Sequence, residues 1–572
     1  MSPVNPTHPN LVSDAREAEN QIREVISAHK EWFMSIDGRP PLSVNNDEFD
    51  FSVAQSRLIF SSWTEIGSQT WRVNAWNWTG DKLILQASRR MGAESATIEL
   101  VPRASAKTIV ASIAAARQER CERLAQLVAL SLEGAGRRGS GVVGTDQDHE
   151  SKTRSWHHGD SPSPLHPKPQ TLHPNTDLHL HPTPFTQQPS VKIERAALSP
   201  GMRRDQPGRY ARIILRLPHE RIAVAGTVAR SDARNVDSLF SSVLLWFNRS
   251  LSSPKKPPIN RLLMIVEHGI LETARQRHVL LRDSLRARVE LLEIDDDWKA
   301  VEATRPWERK YIWRKRLNRF PTVRQDERHD LVNEIVATRP EAIDVVAARH
   351  GQTLRYHGLP FARVRCVMDR DRVWFGIEGS PRRSLDEYHQ QDWLKLLHDL
   401  ETYRNAECRD RRHWLHRAAG EAWLESILRR DITRLDPGLI VAPLHAQFRT
   451  SHSGPTGARP IDLLALRHDG RLVVIELKVN EDREHVFQGV DYWRRVEAHR
   501  RRGHISSAKL FGDREISDET PLVYLVAPTL RFHPSFRTLA GMIAPDIEVY
   551  RFDINEDWRG GVRVVRRDRV NA

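Results

Sequence analysis

The sequence predicts a multidomain α/β protein that ends in an α/β core with a mixed sheet. Three observations carry that expectation. At 572 residues, the chain is long enough for three or four domains. One tract, 133–190, has few residues able to build a core. The stretch 460–492 holds two short apolar strands, a turn signal and the start of a helix. The expected divisions are a small α+β domain (1–132), a disordered Pro/His/Ser-rich linker (133–190) and an α/β domain (191–330). A small β/helical connector (331–405) and the C-terminal α/β domain (406–572) follow.

In the first domain, 15–33 has helical spacing. Short strands follow at 57–61, 70–78, 82–87 and 96–102, then a long helix at 106–130. Trp63, Trp71, Trp76 and Trp78 lie beside Arg72, Arg89 and Arg90. Aromatics with arginines can stack on bases, but tryptophans in such strands are expected in the core. The six histidines of the linker, from His157 to His181, are scattered among prolines without ligand spacing, so they are read as linker.

The third tract alternates strands (210–217, 221–228, 262–267, 289–294) with an apolar segment (236–247) and a helix (271–288), which is the pattern of an α/β domain. Its acidic end, Glu293 with Asp295, Asp296 and Asp297, reads as a solvated loop. The segment 311–319 is a basic helix with interleaved aromatics, suited either to phosphates or to a plain surface. Strands are expected at 354–367 and 372–378, and helix at 393–419.

The C-terminal stretch is the most informative. Leu472 to Leu477 is a β-branched run that reads as a strand buried on both faces. Glu476 and the following Lys478 are out of place there, because burying a charge costs several kcal/mol or more unless it is paired or metal-bound. Side chains two apart on a strand share a face, so the two project together. Ile461 to Leu466 is a second strand, and His468-Asp469-Gly470 is a turn signal. A two-residue loop would put Asp462 opposite Leu477. A three-residue loop, with Gly470 left-handed, puts Asp462 opposite Glu476, and this register is expected because it alone gathers both carboxylates and the lysine.

Beyond it, a helix starting near 481–483 would carry Gln488 and Tyr492 on one face. Arg494, Arg495, Arg500 and Arg501 extend that helix and could contact a nucleic-acid backbone. Upstream, the helix around Glu421 and Glu425 buries Trp423, Leu424, Ile427 and Leu428, and can bring a glutamate to the same cluster. Closing strands are expected at 522–527, 547–552 and 562–566.

A helix glutamate, Asp462, Glu476-x-Lys478 and Gln488-x-x-x-Tyr492 together resemble the PD-(D/E)XK, or restriction-endonuclease-like, nuclease superfamily. The glutamine–tyrosine element is similar to its RecB-type branch, and the spacing to the C-terminal domain of prokaryotic mismatch endonucleases. The resemblance covers roughly 411–569, and Ile461 stands where the motif's name has proline. It implies a Mg²⁺ (or Mn²⁺) ion held by Asp462 and Glu476 with the Leu477 carbonyl. Glu425 would serve a second metal or its water, with Glu421 as the competitor. It also implies that Lys478 positions or deprotonates the attacking water, and that Gln488 and Tyr492 orient the lysine and the backbone.

Composition agrees with an anionic partner: 87 basic against 74 acidic residues, a formal net charge of +13 and a pI near 9.8. Three distant cysteines, Cys121, Cys366 and Cys408, give neither a disulfide framework nor a zinc pattern. With no long apolar run and no signal-like start, a cytoplasmic protein is expected. The expected function is therefore a metal-dependent nuclease acting on nucleic acid, DNA in the first place, with a possible protein partner at the N-terminal domains. The alternative is a catalytically inactive nucleic-acid-binding or assembly protein of a repair or anti-phage defence system.

Overall fold

The computed structural model describes residues 10–37, 42–64, 67–89, 94–138, 191–200, 208–228, 236–295, 297–308, 310, 330–348, 351–367, 370–377, 382–448, 450 and 460–572. The linker from 139 onward with its six histidines, Arg90, Asp296 and the basic segment 311–319 lie outside them. The chain is mixed α/β and is organised around four sheets. Among the described residues no helix is long and apolar enough to cross a membrane.

The first sheet, eight strands between 10 and 102, is antiparallel throughout. Helix Ala15–Ser27 starts where the Asp14 carboxylate accepts from the amides of Arg16 (2.8 Å) and Glu17 (3.2 Å). It buries Ala15, Ala18 and Ile22 at helical spacing. The expected helix does not continue to residue 33. Trp32 and Met34 alternate inward on strand Glu31–Ile36, a period of two that no helix could bury. Trp71 and Trp76 are core, whereas Trp63 is half exposed.

Helix Arg103–Arg138 then leaves this sheet. Its residues Cys121, Leu124, Ala125 and Val128 pack on one face of the second sheet, so the expected border at 132 falls inside a packed helix. The second sheet has six strands, antiparallel at both edges and parallel between Arg221–Thr227, Ile259–Glu267 and Val289–Ile294. Helices Val236–Leu251 and His268–His278 cover its other face. The third sheet is an antiparallel meander from Ile343–Ala348 to Arg383–Ser384, packed against helices Asp330–Thr338 and Gln390–Tyr403.

The fourth sheet holds the stretch of interest. Its strands run in order β1 (His445–Phe448), β2 (Ile461–Leu466), β3 (Leu472–Leu477), β4 (Leu522–Pro528), β5 (Val549–Ile554) and β6 (Val564–Arg569). β2 and β3 are antiparallel, β3 to β5 are parallel and β6 is antiparallel. Helix α1 (Gly420–Arg430) packs on one face and α2 (His485–Arg500) on the other, while the short α3 (Phe536–Ala540) lies beside α2. β3 is buried at every position, as a central parallel strand must be.

One apolar core joins the second and fourth sheets. Phe487, Val490 and Trp493 of α2 pack with Phe240, Leu244 and Leu271 of the second unit and with Val523 and Leu525 of β4. Inside it Arg277 bridges Asp237 (2.6 Å) and Asp491 of α2. Burial alone would raise the Asp491 carboxyl, but the guanidiniums of Arg277, Arg494 and Arg495 hold it well below the usual carboxylate range. Its contribution to stability is therefore complete at neutral pH and disappears as acid protonates it. Replacing one partner strands a buried charge, at a cost of about 3–5 kcal/mol. Asp491→Asn should lower the denaturant midpoint strongly at pH 7, and the gap from the parent should narrow as pH falls below about 4. An equal midpoint at pH 7 would show that the cluster does not hold the two units together.

Candidate functional site

The site begins with the hairpin register. Leu463 pairs with Ile475 and Leu466 with Leu472, so Asp462 stands opposite Glu476. The loop is the three-residue one. The Arg467 amide donates to the Arg471 carbonyl (2.9 Å), and Gly470 takes φ of 79° and donates to Arg467 (3.0 Å). A side chain at Gly470 would be strained at that φ and would also meet the Glu515 carbonyl at 2.8 Å.

Two carboxylates and one amine are thereby gathered inside an apolar sheet. Lys478 donates to Glu476 Oε1 at 2.7 Å and lies 3.9 Å from Glu421 and 3.8 Å from Asp482. Asp462 Oδ2 accepts from the Leu477 amide at 2.9 Å. Glu476 Oε2 is buried and has no hydrogen-bond donor. Burial raises the Glu476 carboxyl well above its usual range and the adjoining Asp462 charge adds to this, with Lys478 opposing. Asp462 is raised by burial too, against Lys478 and the Leu477 amide. Burial works against the charge on Lys478, yet the Glu476, Glu421 and Asp462 carboxylates override it and hold the amine above its ordinary value. Without a further cation, such a carboxylate pair retains a proton while the lysine stays charged.

The helix glutamates divide the work. Glu425 on α1 is buried and turned toward Asp462. Gln447 spans the two, donating to Glu425 Oε2 at 2.7 Å and to Asp462 Oδ1 at 3.5 Å. Gln447 sits on β1, skipped by the ladder between Ala446 and Phe448, with φ of 50°. A non-glycine residue held in the left-handed region is typical of a constrained site. Arg355, from the third sheet, approaches Glu425 Oε1 at 3.7 Å. Glu421, half exposed, faces Lys478 instead.

The third sheet fixes α1 in place. Arg404 is fully buried and donates to the carbonyls of Tyr356, Leu415 and His357 (2.8 Å each) and Ala418 (2.7 Å), and its guanidinium lies 4.7 Å over the Trp423 ring. Burial, with Arg559 nearby, brings it down to about 9. Gly358, with φ of 79°, lies against α1: a Cβ there would be 2.0 Å from the Ala422 carbonyl oxygen.

On the other face, α2 comes close enough to β3 and β4 that a Cβ on Gly489 would lie 2.5 Å from Leu525 Cδ2 and 3.8 Å from Glu476 Cβ. His485 of α2 contacts the Glu476 carbonyl (3.3 Å), and burial with the Lys478 charge lowers it to about 3, so it is neutral. Tyr492 is buried against Leu464 and Val474. Burial raises its phenol and the Glu476 charge adds to this, so it stays protonated. The Gln488 amide nitrogen donates to Glu484 (3.4 Å), and among the described residues no hydrogen bond runs from Lys478 to its oxygen.

The arginines expected to face a nucleic acid are bound internally. Arg494 and Arg495 pair with Asp491, and Arg500 and Arg501 with Glu497. Each of these guanidiniums shares its carboxylate with another, Arg494 and Arg495 with Arg277 at Asp491 and Arg500 with Arg501 at Glu497, so the helix keeps a net positive charge and its contact with a nucleic acid stays an expectation. A cationic surface also lies elsewhere. A cleft of about 520 Å³ is lined by Arg412, Arg417, Arg531 and Arg559, with Trp414 and Asn480. Its wall includes Gly420 and Val479, the neighbours of Glu421 and Lys478 in sequence. Arg412, Arg417 and Arg531 form no ion pair among the described residues. Trp414 is 53 % exposed, as a stacking surface requires. These residues are far apart in sequence and carry no motif. Gln447, Arg355 and His485 were likewise not singled out, because each owes its place to tertiary packing.

No protein-family model matches the chain, nor does any curated protein or solved structure match it significantly.

Whether the donors suit a divalent ion can be judged from their chemistry. Asp462 and Glu476 offer hard oxygens, one of them without a donor, as Mg²⁺ or Mn²⁺ requires. Among the described residues no group of three or more His, Cys, Asp or Glu side chains is arranged to hold a metal. Glu425, engaged by Gln447 and Arg355, does not join the two carboxylates as a third ligand. Two carboxylates with substrate phosphate and water still suffice for Mg²⁺. Gln447→Ala should leave Glu425 buried without its amide donor and cost about 1–3 kcal/mol, read as a lowered denaturation midpoint. Gln447→Glu should cost more, by adding a third buried carboxylate. Unchanged midpoints for both would show that the amide bridge is not formed.

Proposed function

We propose that the protein is a metal-dependent phosphodiesterase that cleaves nucleic acid, DNA in the first place, with its site at Asp462, Glu476 and Lys478. The observation that carries this reading is the carboxylate pair, Glu476 buried and Asp462 partly exposed, with the buried lysine donating to Glu476. A fold gains nothing in stability from a buried Glu476 with an unsatisfied oxygen set against a second, half-buried carboxylate. Such an arrangement is expected where a cation and a phosphate complete it.

Asp462 and Glu476 would hold the divalent ion, which when bound supplies positive charge against the phosphate and makes water more acidic. Lys478, held as an ammonium by its three carboxylate neighbours, acts as a fixed positive donor to the charge that develops on phosphate oxygens. This favours a stabilising role for Lys478 over proton removal. Gln447 and the Leu477 amide fix the Asp462 carboxylate, and His485, neutral, fixes the β3 carbonyl beside it. The arginine cleft would hold the flanking backbone, and Trp414 an unstacked base. The resemblance to the PD-(D/E)XK superfamily agrees with this reading and stays a proposal. So do a cytoplasmic location and a protein partner at the N-terminal units.

A second reading has one observation in its favour. Glu425 is occupied by Gln447 and Arg355, and among the described residues no third metal-ligating side chain joins the carboxylate pair. That would suit a nuclease-like domain that binds nucleic acid without cutting it.

The readings separate in a cleavage assay with labelled DNA and RNA and added Mg²⁺ or Mn²⁺. Metal-dependent cleavage should fall at least 100-fold in Asp462→Asn, Glu476→Gln and Lys478→Ala, roughly the loss seen when a transition-state charge stabiliser is removed. Asp462→Asn should melt close to the parent, since the pair already holds one proton and Glu476 keeps its bond to Lys478. Cleavage persisting in all three would reject the site. Salt-dependent binding without turnover would favour the second reading. Arg417→Gln and Arg531→Gln should each weaken DNA binding and lower its salt slope by about one. Unaltered slopes would remove the cleft from the substrate path.

A further inference from the structure

A second cationic cavity lies far from this site in sequence, within the 191–307 unit. It has a volume of about 520 Å³ and opens between the edge strand Lys192–Leu198, strand Tyr210–Arg216 and the end of helix Val236–Leu251. Arg195, Arg212, Arg221 and Lys255 line it, against one carboxylate, Glu194. Glu194 is taken up by Arg221, which donates to it through Nε (2.7 Å) and Nη2 (2.8 Å). Arg221 is only 4 % exposed, and its remaining Nη1 is buried with no acceptor. Arg212 has no carboxylate partner among the described residues. Burial lowers its pKa, and the neighbouring charges of Arg249, Arg483 and Arg195 lower it further. Trp246 offers a flat apolar wall, its ring centroid 6.0 Å from the Arg212 guanidinium.

Each of these features costs the free protein something. A buried N–H without an acceptor is unfavourable, and with Glu194 shared by Arg221 and Lys255 (3.6 Å) the half-buried Arg212 guanidinium has no carboxylate of its own to offset the neighbouring cations. An anion seated there relieves both. Arginine forks suit phosphate oxygens in particular, and the indole face suits an aromatic ring. The volume lies within the range of small-ligand pockets. A double helix could not reach a side chain as enclosed as Arg221, whereas a single phosphate group could.

We propose that this cavity binds an organic phosphate carrying an aromatic base, that is, a nucleotide, either free or as the phosphorylated end of a strand. Phosphate oxygens take the open Nη1 of Arg221 and the Arg212 guanidinium, and the base lies on Trp246. The site is separate from the carboxylate pair, so it holds whether or not the chain cleaves nucleic acid.

The test is ligand binding by the full-length protein without divalent metal, using calorimetry and thermal shift. The probes are AMP, ATP, inorganic phosphate, and a short single strand with and without a 5′-phosphate. AMP or ATP should bind and raise the melting temperature. If the phosphorylated strand binds and free nucleotides do not, the ligand is a strand end. Arg212→Gln should weaken binding at least tenfold and Trp246→Leu should weaken AMP but not inorganic phosphate. Arg57→Gln, on the first sheet, should leave nucleotide affinity unchanged. Arg221→Gln releases Glu194 and could unfold the edge, so Arg212→Gln, with its circular dichroism matched to the parent, decides the matter. No binding of any phosphate probe to the parent protein, or equal binding to Arg212→Gln, would overturn the proposal.

Discussion

A carboxylate opposite a carboxylate, in the middle of a sheet buried on both faces, is the constraint around which the C-terminal unit is built. Asp462 and Glu476 face each other because the His468–Gly470 loop has three residues and Gly470 accepts a positive φ. Every neighbour then acts on that juxtaposition. Lys478 gives it a cation, the Leu477 amide a donor, and Gln447 a link to Glu425. α1 and α2 bury Glu476 and Lys478 between them, so their charges interact in a medium where they matter far more than at a surface. An arrangement that costs stability and rigidly aims its polar groups is what chemistry on a phosphodiester would use.

The surrounding units hold the walls of this site in position. The third sheet touches α1 through Gly358 at a distance no side chain allows, and through Arg404, whose guanidinium bonds four carbonyls and lies on Trp423. The second sheet shares α2 with the fourth, and the Arg277–Asp491 pair fixes the helix from its far side. Gly489, Val490 and Asp491 are consecutive, and each faces a different requirement: close approach to β4, apolar packing and charge. A shift of α2 would be felt at Glu476 and, through Phe240, in the second unit. The Arg212 cavity lies in that unit and feels the charge of Arg483, in the turn that leads into α2.

The hairpin, its register, the helices on either side of it and the closing strands were legible in the sequence, whereas the edge strand β1 was not. The reason is local: a β-branched run, a turn signal and two misplaced charges constrain one another within twenty residues. Elements whose fate depended on distant partners were not. Residues 28–33 continue a helical spacing but turn at 28–30 and enter a strand at Glu31, because Trp32 and Met34 can be buried only by a sheet. The helix after residue 103 looked like part of the first domain and instead packs its second half on the next. Arg494, Arg495, Arg500 and Arg501 read as a basic face, but the same helix supplies Asp491 and Glu497 at spacings of three and four, and these pair with them.

The sequence alone determined that an acidic pair and a lysine would converge on one face of a buried hairpin, since strand alternation and loop length leave little freedom over so short a span. Only the tertiary structure decided which glutamate approaches them, that Gln447 and Arg355 intervene, and that Arg412, Arg417 and Arg531 line one cleft. Those outcomes depend on segments tens to hundreds of residues apart, and their contacts are set by how whole layers pack rather than by any pattern along the chain.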